Sequence, residues 1–99
     1  MHIALAPFRL REGISEDDLA RSSDDFEEQF VRKQEGILRR ILVKDSDGRY
    51  ADIVFFEDSA AIDRVIEAEQ SSEVCAAFFA IMENDGTHTV YEVLKTYER

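Results

Sequence analysis

Few side chains in this sequence combine a useful chemistry with a useful position. His88 stands in the stretch from Thr87 to Lys95, where a strand period of two sets His88, Val90 and Glu92 on one side and Thr87, Thr89 and Tyr91 on the other. Imidazole ordinarily titrates close to neutral pH, so His88 is a candidate general base toward a phenol or an enol. Glu92, four strand residues further on, lies roughly 13 Å away and forms no dyad with it. Asp52 is the one acid inside Tyr50 to Phe56, and Arg39 and Arg40 sit side by side in the preceding strand pattern. They face opposite ways, so one of them shares a face with Asp52. Such a pair is either a staple within the hairpin or between subunits, or a pocket carboxylate beside an anion-binding guanidinium. In the catalytic version His88 removes a proton, Arg40 or Tyr50 stabilises the developing anion, and Asp52 is the pocket carboxylate. Phe56, Phe78, Tyr50 and Tyr91 are the candidate substrate-contacting rings. In the structural version the histidines are surface or interface residues, and Phe78 and Phe79 are core and pocket wall.

Other chemistries find little support. Two separated histidines and one cysteine provide no His-x-x-His or Cys-x-x-Cys spacing, so no metal site is expected. No phosphate-binding glycine loop and no Gly-x-Ser-x-Gly elbow occurs, and no cofactor is expected. Cys75, between Val74 and Ala76-Ala77-Phe78, reads as a packed thiol.

The elements that must position these groups follow from periodicity and caps. His2 to Leu10 reads as a first strand, with Pro7 marking an edge or a bulge because it lacks an N–H. Ser15 is an N-cap followed by Glu16, Asp17 and Asp18 at the positive end of a helix dipole, with Arg32 and Lys33 at the negative end. Leu19, Ser23, Phe26 and Phe30 form the helix's apolar stripe, and Gly36 is the expected stop. Ile37 to Lys44 and Tyr50 to Phe56 form a hairpin about Asp45-Ser46-Asp47-Gly48. The wholly apolar set Ala51, Ile53 and Phe55 is expected to meet the helices, leaving Asp52 on the opposite face. Ser59 is placed to cap a second helix and Ser71 or Ser72 a further one, either separate or continuous across a kink. Met82 is expected on the inner side of this last helix, which Asn84, Asp85 and Gly86 end. Thr87 to Lys95 is the fourth strand.

The order β-α-β-β-α-β is the ferredoxin-like α+β arrangement, a four-stranded antiparallel sheet with both helices on one face. The chain of 99 residues reads as a single domain over 1–99. A bare, apolar sheet face would favour covering by an identical sheet, hence a homodimer. The formal charge of -10, from 22 acidic and 12 basic residues, disfavours nucleic acid and anionic membranes as partners. The apolar run from Val74 to Met82 is far short of the roughly 20 residues that span a bilayer. The start, Met1 to Pro7, lacks the pattern of a secretory signal, and a cytoplasmic location is expected.

Gln34-Glu35-Gly36-Ile37-Leu38-Arg39-Arg40-Ile41-Leu42 resembles the "Gln-Pro-Gly, then apolar strand with an Arg" passage of the dimeric α/β-barrel superfamily. Tyr50-Ala51-Asp52-Ile53-Val54-Phe55-Phe56-Glu57-Asp58-Ser59 resembles the "strand ending in Trp-Glu-Ser, then helix" passage of antibiotic-biosynthesis-monooxygenase-like proteins. Phe56 stands in place of the Trp and Glu35 in place of the Pro. The resemblance implies two sheets packed in a homodimer and a pocket between sheet and helices or near the barrel interior. It further implies an apolar site for an aromatic or polyketide-like ligand and cofactor-independent oxygenase or isomerase chemistry. The rival expectation is a structural or regulatory dimer whose acidic first helix binds a basic protein partner and whose barrel is simply filled.

Overall fold

The computed structural model describes residues 1–84 and 86–99. Ser15 opens helix α1 (Glu16–Gln29) through a reciprocal capping box: the Asp18 N–H donates to Ser15 Oγ at 3.0 Å, and the Ser15 N–H donates to Asp18 Oδ2 at 2.9 Å. The helix buries Leu19, Ser23 and Phe26, the stripe expected from their spacing. It ends sooner than Gly36. Phe30 still donates its N–H to Phe26 but leaves the helical backbone, and Val31–Lys33 forms a 3₁₀ turn that tucks Phe30 and Val31 into the core. Arg32 and Lys33 therefore belong to this turn and do not complement the end of α1. Gly36, at φ 92°, opens the next strand instead. A Cβ there would lie 2.5 Å from Ala61 Cβ, so only glycine permits the approach.

Strands β1 (His2–Leu10), β2 (Ile37–Lys44) and β3 (Tyr50–Phe56) are followed by helices α2 (Ser59–Glu69) and α3 (Glu73–Ala80) and by the short strands β4 (Met82–Glu83) and β5 (Thr89–Glu92). The antiparallel sheet runs β2-β3-β1-β4, with β5 also pairing β1. This is the ferredoxin-like α+β arrangement. Of the expected fourth strand, Thr87 to Lys95, only β5 forms, pairing His2 to Leu5, and the additional strand β4, which begins where the last helix was expected to continue, pairs Arg9 and Leu10. Pro7 sits between those pairings in an otherwise continuous β1. Met1 C=O and Arg11 N–H both bond toward the β4/β5 side, so the odd-numbered Pro7 aims its missing N–H at the stretch of β1 that no strand of the described residues pairs on that side.

The second half of the chain refines two expectations. The cap of α2 is Asp58, whose Oδ1 accepts from the Ala61 N–H at 2.9 Å, while Ser59 is already helical. Ser72 caps a separate α3 by accepting from the Cys75 N–H, so the stretch is two helices. Met82 is buried, but from β4, because α3 ends at Ala80. Of the expected helix end, Asp85 lies outside the described residues.

The orientation of the hairpin is the opposite of that expected. Tyr50, Asp52, Val54 and Phe56 face the helices, while Ala51, Ile53 and Phe55 lie on the open face beside Ile3, Leu5 and Ile41. The expectation put the wholly apolar set against the helices, which left the carboxylate outside. Here Arg40 supplies the partner that makes the inward orientation tolerable. A register shift between Ile37 and Arg39 gives β2 one extra residue, so that Ile37 and Arg40 both turn inward on either side of the outward Arg39. Phe8, Phe26, Phe56, Ile62, Val65 and Phe78 centre the core between sheet and helices.

Candidate functional site

β1 contributes Ala4 and Ala6 to the face that meets the helices, and these small side chains on a central strand leave space that larger residues would fill. The result is a cavity of about 420 Å³ between the sheet and α2, within the size range of ligand pockets. Its sheet wall is Ala4, Ala6, Phe8, Val54 and Phe56; α2 adds Ile62, Val65 and Ile66, and Phe26, Phe30 and Phe79 supply aromatic surface. Polar groups are few: Asp52 on the sheet, Glu69 at the end of α2, Arg11 beyond β1, and Asn84, Thr87 and His88 on the approach to β5.

Asp52 belongs to an internal ion cluster. Its Oδ1 accepts from Arg40 Nε at 2.9 Å, and the two side chains are only 12% and 6% exposed. The Arg40 guanidinium also donates to Ser23 Oγ at 2.6 Å and to Glu27 Oε1 at 3.2 Å. It lies 4.9 Å from the ring centroid of Phe26 and 5.4 Å from that of Phe78. Arg40 is thus held by β3, α1 and two aromatic faces at once. Burial raises the Asp52 pKa and outweighs the opposing pull of Arg40, with the Glu27 charge adding to the rise.

The expected site residues separate into groups. Asp52, Phe56 and His88 line the cavity, with His88 exposed at its edge. Arg40 stands behind Asp52 and is not part of the lining. Phe78 is fully buried, stacked on Phe26 at 4.5 Å, and its neighbour Phe79 is the ring that reaches the cavity. Tyr50 stacks on Phe8 and borders a smaller depression between α1 and β2. Tyr91 is exposed on β5, opposite Ile3 on the open sheet face. Cys75 is fully buried, and burial pushes its thiol pKa up, which keeps it in the poorly nucleophilic protonated form. Among the described residues no three His, Cys, Asp or Glu side chains converge as a metal site would require, and no helix is long and apolar enough to cross a membrane.

Glu69 is the cavity residue that sequence reasoning missed. It is the last residue of α2, one turn beyond Val65, and its half-buried carboxylate makes no hydrogen bond or ion pair among the described residues. Burial, reinforced by the Asp52 charge, pushes its pKa up to about 7. A sequence signal existed in the spacing: Ile62, Val65, Ile66 and Glu69 follow one helical face, so the acid falls on the side that meets the sheet.

No protein-family model and no curated protein matches the chain. Solved structures do. An antibiotic biosynthesis monooxygenase superposes with a TM-score of 0.72 at 21% identity, over 96% of this chain and 100% of the other. SnoaB of Streptomyces nogalater, a cofactor-independent oxygenase, gives a TM-score of 0.73 at 16% identity over 99% and 97%. Rv0793 of Mycobacterium tuberculosis gives 0.70 at 17% identity over 98% of each chain. The chain shares the fold of these proteins over nearly its whole length, including the sheet face and helices that enclose the cavity.

Proposed function

We propose that this protein is a homodimeric small-molecule-binding protein whose cavity takes an aromatic or polyketide-like ligand, and that it acts on that ligand as a cofactor-independent monooxygenase or isomerase. The observation that carries this reading is the 420 Å³ cavity lined by phenylalanine and aliphatic side chains with a few polar groups at its edge. A dimer whose interior is simply filled leaves that space without a purpose. The shared fold with SnoaB, a cofactor-independent oxygenase, supports the reaction class. The homodimer is supported by the open sheet face, where Ile3, Leu5, Ile41, Ile53 and Phe55 form an apolar surface of the kind that a second copy covers.

In this reading His88, at the edge of the cavity, accepts the proton of a phenolic or enolic hydroxyl. Asp52 is the carboxylate beside the ligand, and Arg40 fixes it from behind and offsets its negative charge on the side where the anion forms. The test is oxygen uptake and product formation with a panel of hydroxylated polycyclic aromatics in flavin-free, chelator-treated buffer. The proposal expects turnover that falls at least about tenfold in His88→Ala, in line with general-base contributions. A ligand-bound protein that turns over none of the panel would remove the enzymatic part of the proposal. Unchanged turnover in His88→Ala would remove the assigned base.

A further inference from the structure

Glu69 is a polar group of the cavity that the proposed function does not use. Its position is unusual in physical terms. The carboxylate ends a helix whose Ile62, Val65 and Ile66 line the same cavity, and no cation or donor of the described residues meets it. Buried charges are ordinarily paired, and an unpaired carboxylate facing a ligand-sized apolar space has an unfilled demand for a donor. Asp52, the other carboxylate of the lining, has that demand met by Arg40. The two acids are therefore not equivalent toward a ligand.

We propose that Glu69 is the ligand-anchoring group of the cavity: it accepts a hydrogen bond from a hydroxyl of a phenolic or enolic aromatic ligand and selects such donors over ligands carrying a carboxylate. This rests on the reading of the cavity as an aromatic-ligand site and narrows it to ligands with a hydroxyl directed at the end of α2. A hydroxyl supplies a donor to the carboxylate, and a hydrogen bond to an ionised acceptor is roughly twice as strong as a neutral one. A carboxylate ligand would instead bring a further negative charge toward Glu69 and Asp52.

The pH dependence follows from the groups around Glu69. Asp52 faces it from β3, with Arg40 of β2 and Glu27 of α1 behind; the Cys75 thiol lies on α3; Arg11 and His88 line the same cavity. Glu69 ionises near pH 7, so a donor ligand gains its strong acceptor as pH rises through that value.

The experiment titrates 2-naphthol, 2-naphthoate and unsubstituted naphthalene into the full chain by fluorescence between pH 5.5 and 8. Wild type, Glu69→Gln and His88→Gln are compared, the last removing the imidazole from the profile. In wild type and His88→Gln, 2-naphthol binds about five- to tenfold more tightly at pH 8 than at pH 5.5, and Glu69→Gln abolishes that difference. 2-Naphthoate follows the opposite trend in wild type. Carbon-13 NMR of the Glu69 carboxyl gives a midpoint near 7, and this readout needs neither variant nor ligand. Naphthalene binding together with a naphthol affinity that is flat with pH, or equally pH-dependent in Glu69→Gln, would overturn the anchor and leave the aromatic cavity standing. Failure of all three ring systems to bind would overturn the cavity reading and the anchor with it. A Glu69 midpoint in the ordinary glutamate range would overturn the anchor alone.

Discussion

Replacing Arg40 by methionine keeps most of the side-chain volume and removes the charge that neutralises Asp52. The consequence is set by burial. The Asp52 side chain is 12% exposed and its Oδ1 is taken by Arg40 Nε at 2.9 Å, so the variant leaves a carboxylate in the interior without the guanidinium that paired it. Removing one partner of a buried pair costs about 3–5 kcal/mol, against a total stability of about 5–15 kcal/mol for an ordinary domain. Glu27 contributes little to this figure, because it is 40% exposed and can turn to water. The double variant Arg40→Met/Asp52→Leu removes both charges and is expected to recover to within about 1.5 kcal/mol of wild type, the remainder reflecting the unpartnered Ser23 hydroxyl. Urea unfolding followed by far-ultraviolet circular dichroism, at fixed protein concentration, provides the comparison. Asp52 already has a raised pKa, and without Arg40 burial acts on it unopposed. The single variant's penalty therefore shrinks as pH falls and the carboxyl protonates. A loss below about 1 kcal/mol in Arg40→Met, or a double variant no more stable than the single, would refute the reasoning.

Three other perturbations have equally definite outcomes. Gly36 and Gly48 both have positive φ, but a Cβ at Gly36 meets Ala61 at 2.5 Å and one at Gly48 meets nothing within 4 Å. Gly48→Ala is expected to cost about 1–2 kcal/mol and Gly36→Ala clearly more, by the same urea assay. Glu69, with its folded pKa raised to about 7 from 4.5, contributes stability that is fully present below pH 4.5 and is lost as pH rises through 7. After allowance for its partial exposure to solvent, wild type loses about 1–2 kcal/mol relative to Glu69→Gln between pH 4.5 and pH 8. Parallel pH dependences of the two proteins would contradict the assignment. Ile53→Glu on the open sheet face is expected to convert a dimer to a monomer in sedimentation velocity while leaving the helix content unchanged. A stable dimer in this variant would place the interface elsewhere.

The sequence carried the element order because each boundary has a local cause: Ser15 with Asp18 for α1, Asp45 and Gly48 for the hairpin, and Ser72 for the separate α3. It misjudged features decided by distant contacts. The inward turn of Asp52 depends on Arg40, Ser23 and Glu27, whose convergence requires a bulge in β2 and the docking of α1. The additional strand β4 and the shortened β5 depend on where β1 offers an edge on either side of Pro7. Of the candidate site, Asp52, Phe56 and His88 were legible from residue type. The space they border was implied by the family resemblance alone, because it comes from two alanines on a central strand, and alanine announces no chemistry of its own. Glu69 was hidden among the many acids of an acidic chain, where only its position one turn beyond Val65 distinguishes it.

The central claim is that an aromatic ligand enters the space between the sheet and α2. Its most direct test is methyl NMR of the protein titrated with 2-naphthol, since the two sheet faces carry separate sets of methyl groups. The account predicts shifts confined to Ala4, Ala6, Val54, Ile62 and Val65, which line the cavity. Shifts confined to Ile3, Leu5, Ile41 and Ile53 on the open face, or none at saturating ligand, would contradict it.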